Sequence, residues 1–78
     1  MTYHAYIVRD PAVCGGVPVV RGTRVPVRTI LSSLEAGDSF EAIMRDFPSV
    51  SNEALRAIVA YAAASAREDL PVLQTAAA

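Results

Sequence analysis

Apolar positions along the chain fall into a short extended front and three helical repeats. Tyr6-Ile7-Val8-Arg9 reads as a short strand. Asp10-Pro11 ends it in a turn, because Asp bonds forward to the backbone and Pro fixes φ. Val17 to Val20 and Thr23 to Val25 are two further extended runs. Arg21-Gly22 lies between them as a tight turn in which Gly22 supplies a positive φ. Pro18 and Pro26 each remove a backbone donor, so these strands are expected to be edges or very short. From Val27 the period changes. Val27, Ile30, Leu31 and Leu34 fall at i, i+3, i+4 and i+7 and predict a helix that starts at Pro26 or Val27 and ends at Gly37. Phe40, Ile43, Met44 and Phe47 repeat the spacing. This second helix starts at Asp38 or Ser39, with Asp38 and Glu41 spaced as in a capping box, and Pro48 stops it. The third starts with Ser51 as N-cap, has Val50 and Leu55 as a hydrophobic staple, and runs to about Arg67. Leu55, Ile58, Val59 and Ala62 are its expected core stripe.

The third helix complicates this picture. From Ala57 onward Ala57, Ala60, Tyr61, Ala63 and Ala64 make it apolar nearly all round, and such a helix is covered on every side. With 78 residues the chain holds one domain, residues 1–67, followed by a tail, 68–78. So small a core is marginal alone and calls for a disulfide, a metal or a second subunit. One Cys makes no internal disulfide, and one Cys with one His falls short of the four ligands of a structural zinc site. A homodimer is therefore expected. The fold class is mainly α: a short N-terminal β-hairpin followed by a three-helix helix-turn-helix domain, dimeric.

Composition excludes several functions. No run approaches the roughly 18 apolar residues that span a bilayer. The start MTYHAYIVRD lacks a basic region followed by an apolar one, so no signal peptide and no membrane are expected. With a free thiol, this points to the cytoplasm. The net charge is −1, against a strong nonspecific grip on nucleic acid. The basic residues are Arg without Lys, which suits planar contacts to phosphate or carboxylate, although genome composition produces the same bias.

Three features carry candidate chemistry. The second and third helices, joined by Pro48-Ser49-Val50, have the lengths of a helix-turn-helix. Its reading turn shows Asn52, Glu53 and Arg56; Asn pairs with adenine and Arg with guanine. Ser49 and Ser51 lie where phosphate contacts form. The competing explanation is a plain three-helix packing unit, and one Arg beside one acid is a poor electrostatic footprint. Arg21, Arg24 and Arg28 gather at the turn and the start of the first helix, as a patch for phosphate or partner acids. Alternatively they are a solvated rim paired with Asp10, Glu35 or Asp38. Cys14-Gly15-Gly16 reads as a small buried Cys before a turn, with neither co-ligands nor a base. "GGVPVVRG" lacks the Lys and hydroxyl of a Walker loop. His4 reads as a surface residue. No triad, metal set, cofactor or small-molecule site is seen, so no enzyme is expected.

The runs "CGGVPVVRGTRVPVRTIL" and "LEAGDSFEAIMRDFPSVSNEALRAIVAYA" resemble domain-of-unknown-function family 433, the VapB-like antitoxin family of bacteria and archaea. The matching positions are Asp10, Pro11, Cys14, Gly15, Gly16, Pro18, Gly22, Thr23, Arg24, Pro26 and Val27. Leu34, Gly37, Ser39, Ile43, Phe47, Pro48, Tyr61 and Ala62 match further on. Residues 6 to 65 are covered; Ser51-Asn52-Glu53 departs from the family's Thr followed by acids, and the tail is outside. The resemblance implies an antitoxin that silences a PIN-like ribonuclease toxin and represses its own promoter through operator DNA. On that reading Leu70, Val72 and Leu73 of the tail fold onto the toxin. The Arg patch contacts phosphates or the acids of the toxin's active site. A protein–protein adaptor or dimerisation module with no DNA binding is the alternative, favoured by a pI of about 5.6.

Overall fold

The computed structural model describes residues 3–69 of the chain. A single 3-10 turn, Tyr3–Ala5, leads into strand β1, Ile7–Val8. β1 pairs antiparallel with β2, Val19–Val20, with Ile7 opposite Val20 and Val8 opposite Val19. The loop between them is stiffened locally. The Asp10 carboxylate accepts from the Ala12 N–H at 2.9 Å, and the Asp10 carbonyl from the Val13 N–H at 2.8 Å, the Asx turn expected of Asp10-Pro11. The Arg9 side chain donates to the Gly16 carbonyl at 2.7 Å.

The principal strand pairing differs from the expected one. Val17–Val20 and Thr23–Val25 do fold across the Arg21-Gly22 turn, but only briefly. The Val20 N–H donates to Val25 at 3.0 Å, the Val27 N–H to Pro18 at 2.9 Å, and one bridge joins Val19 to Pro26. Val19 and Pro26 face each other without exchanging hydrogen bonds; the next pair is Pro18 with Val27, where Pro18 has no N–H to return and Val27 already begins a helix, so the ladder ends there. β2 instead takes β1 as its ladder partner, and the 25–26 segment flanks its other edge.

Three helices follow. Helix α1, Val27–Glu35, begins after Pro26 and ends as expected at Gly37, whose φ is +94°. The Gly37 N–H bonds to Leu34 and the Asp38 N–H to Ser33, both at 3.0 Å, which closes the orphan carbonyls of the last turn. Helix α2, Phe40–Asp46, is capped by Ser39, whose Oγ accepts from the Ala42 N–H at 3.1 Å; of the two expected caps, Ser39 is the one used. Helix α3, Asn52–Asp69, is capped by Ser51 through the Ala54 N–H at 3.1 Å. It extends two residues past the expected Arg67. Val50 and Leu55 are both buried at its start, as a staple requires.

The core is Ile7, Val20, Val27, Ile30, Ile43, Val50, Ala54, Leu55 and Ile58. α3 packs on α1, α2, β1 and the N-terminal turn. Its inner face is Ala54, Ala57, Ile58 and Tyr61, an i, i+3, i+4, i+7 set, with Leu55 beside them. Tyr61 meets the Tyr3 ring edge-on at 5.2 Å. This corrects half of the expected stripe: Leu55 and Ile58 are fully buried, whereas Val59 is 47% exposed and Ala62 is only half-buried. The physical reason is that α3 has two apolar faces, so periodicity identifies the helix without choosing its inner side.

Candidate functional site

Three surfaces carry the residues singled out above. The first is the corner formed by the Arg21–Thr23 turn and the N-terminus of α1. Gly22, at φ +78°, occupies the position of a type II turn that favours glycine, and the Thr23 N–H donates to Val20 at 3.0 Å. The Thr23 hydroxyl donates to the same Val20 carbonyl at 2.8 Å and accepts from the Val25 N–H at 3.0 Å. Gly-Thr is thus a rigid corner. Arg21 is committed to the fold: its Nε donates to Ala5 at 2.9 Å and its Nη2 to His4 at 3.2 Å, tying the N-terminal turn to β2. The arginine side-chain hydrogen bonds among the described residues are those of Arg9 and Arg21. Arg24 and Arg28 are exposed beside them, at the positive end of the α1 dipole. Arg28 also borders a cleft of about 220 Å³ lined by Val17, Pro18, Val27, Leu31 and Tyr61.

Cys14 lies next to this corner and differs from the buried thiol expected. It is exposed, with φ +51°, and its Sγ lies 3.4 Å from the Arg24 carbonyl. Gly15 and Gly16 continue at +70° and +87°, so the backbone runs left-handed through three residues. Gly16 lies close under Pro11, where a Cβ would meet the Pro11 Cα at 3.6 Å.

The second surface is the turn from α2 into α3. Ser49, Ser51, Asn52, Glu53 and Arg56 are all exposed there. The Ser51 oxygen is already occupied as the cap of α3, leaving its hydroxyl proton to donate.

The third surface is part of the all-round apolar stretch of the third helix that the sequence marks as needing cover, here resolved into one groove. Arg56, Val59, Ala60 and Ala63 follow one another at i, i+3, i+4 and i+7 along the outer face of α3. With Phe40 of α2 they line an apolar groove of about 370 Å³. The signal was present as a second apolar spacing, 59/60/63, opposite the first. It was hidden because the surrounding alanines satisfy every phase of the period.

Leu70, Val72 and Leu73, the expected toxin-binding tail, lie outside the described residues. Among the described residues no three of His, Cys, Asp and Glu gather as a metal site, and no helix is long and apolar enough to cross a membrane.

Known proteins give this geometry a setting. The family model described as "Protein of unknown function (DUF433)" matches residues 7–62. An uncharacterised protein, y4eO, of Sinorhizobium fredii is 42% identical over 59 residues, which cover 76% of this chain. The chain spans about a quarter of that relative's length, 27%. The crystal structure of a DUF433 member protein from Anabaena variabilis matches with a TM-score of 0.74 and 28% identity. The match covers 83% of this chain and 64% of that one.

Proposed function

The chain belongs to the DUF433 family, and on that footing we propose that it is a non-catalytic binding module of antitoxin type, which silences a PIN-like ribonuclease by docking its arginine corner on the enzyme's acidic metal site. The observation that carries this reading is the division of labour among the arginines. Arg21 is spent on backbone carbonyls, whereas Arg24 and Arg28 are exposed on a rigid corner and reinforced by the α1 dipole. A guanidinium matches a carboxylate with two parallel hydrogen bonds. A local positive site on a chain of net charge −1 favours an acidic protein surface over a polyanion held by many contacts. Replacing both Arg24 and Arg28 by Ala should leave the fold within about 0.5 kcal/mol of wild type, since both are exposed. It should weaken inhibition of the ribonuclease encoded beside the chain by about 2–5 kcal/mol, the range for a truncated, desolvated charge pair. Inhibition that survives the double substitution, or the lack of any such ribonuclease, would sink the proposal.

One observation favours a second reading, recognition of operator DNA. Ser49, Ser51, Asn52 and Arg56 are all exposed about the N-terminus of α3, where a helix-turn-helix reads bases. On this reading a mobility shift on the chain's upstream DNA weakens with salt, and Arg56→Ala costs about 1–3 kcal/mol for one lost base contact. A chain that gives no shift at low salt, alone or with its partner, does not read DNA.

A further inference from the structure

We infer that the outer face of α3 is the seat of a second copy of this chain, lying antiparallel across it and centred on Ala60. The face is apolar at its middle and uncovered. Val59 is 47% exposed and shares a groove with Phe40, Ala60 and Ala63. No residue from 59 to 67 is fully buried, although all but Ser65 and Arg67 are apolar or aromatic.

The charges at the two ends identify the occupant. Glu53 and Arg67 are exposed, seven residues to either side of Ala60. At about 100° per residue, a separation of seven returns to nearly the same face. An antiparallel two-fold through Ala60 therefore sets Glu53 against Arg67 of the partner subunit, and symmetry makes the pair twice. A parallel arrangement sets Glu53 against its own copy and Arg67 against its own copy. The surface is thus complementary to itself, in one orientation, about its apolar centre. Ala60 and Ala63 let two helix axes approach to roughly 8–10 Å, and Phe40 packs from the side. A single helix pair is small beside the roughly 800 Å² per partner of a standard interface, so the association is expected to be weak and reversible.

This dimer does not rest on the arginine corner, which lies on other elements. It does compete with base reading by α3, because Arg56 lines the same groove.

Sedimentation equilibrium of the full chain across the micromolar range tests it. Wild type should fit a monomer–dimer equilibrium. Glu53→Arg and Arg67→Glu should each weaken the dimer by about tenfold or more, since two attractive pairs become repulsive ones. The double reversal should recover most of that loss, because the pairs re-form with their signs exchanged. Val59→Asp, which places charge in the groove without touching the core, should leave a folded monomer by circular dichroism. A wild-type chain that stays monomeric throughout overturns the proposal, as does a double reversal no better than the worse single one. A monomer that seats a different protein in the groove overturns it too. None of these results bears on ribonuclease inhibition by Arg24 and Arg28, so the two proposals fail separately.

Discussion

Residues 52–58 and 59–67 belong to one unbroken helix, yet the first stretch supplies Ala54, Leu55, Ala57 and Ile58 to the core while the second buries none of its residues fully. The difference is one of neighbours rather than hydrophobicity. α1, α2, β1 and the N-terminal turn all pack on α3, and in its second stretch Tyr61 meets Tyr3 and borders the cleft beside α1. Burial in a domain this small is rationed by the number of elements available to cover it. The first stretch holds the monomer together; the second presents the apolar surface on which the proposed dimer rests.

Adjacent residues offer the sharpest way to break this comparison. Ile58 is fully buried and Val59, next to it, is 47% exposed. Ile58→Ala should cost roughly 2–5 kcal/mol through lost transfer energy and the cavity it leaves. Against the total of about 4–12 kcal/mol typical for a chain of this length, that brings the domain close to unfolding. Val59→Ala should change monomer stability by about 0.5 kcal/mol or less and act on association instead. Thermal melts at low and high protein concentration separate the two. If both substitutions lower the melting temperature alike at low concentration, the halves of α3 are not distinct.

The same comparison shows what the sequence could and could not reveal. Features set by a few consecutive residues were legible: Gly37 as the end of α1, Ser51 and the Val50–Leu55 staple at the start of α3, and Gly22 in its turn. Each depends on chemistry within about four positions. Features set by distant partners were not. β2 chose Ile7–Val8, over ten residues away, above the nearer run, because proline truncates the nearer ladder. Arg21 looked like a candidate contact because its acceptors, the His4 and Ala5 carbonyls, lie 17 and 16 positions away. The left-handed backbone at exposed Cys14 continues through two glycines that permit it but do not announce it. The inner side of α3 was ambiguous because alanines fill both of its apolar phases, and only the approach of α1 and α2 resolves them.

A smaller effect sharpens the boundary from the other end. Ser51 holds the first turn of α3 by accepting from the Ala54 N–H at 3.1 Å, one of four donors that a helix start leaves without partners. Ser51→Ala should therefore cost about 1 kcal/mol, within the usual range for an N-cap. For a domain this small that lowers the melting temperature by about 4–8 °C. The loss falls on the covered half, so the dissociation constant of the proposed dimer, measured where the chain remains folded, should not move. A melt equal to wild type would show that the staple alone fixes the start of α3. A weakened dimer with an unchanged melt would show that the outer face begins at the cap, with no boundary between the two halves.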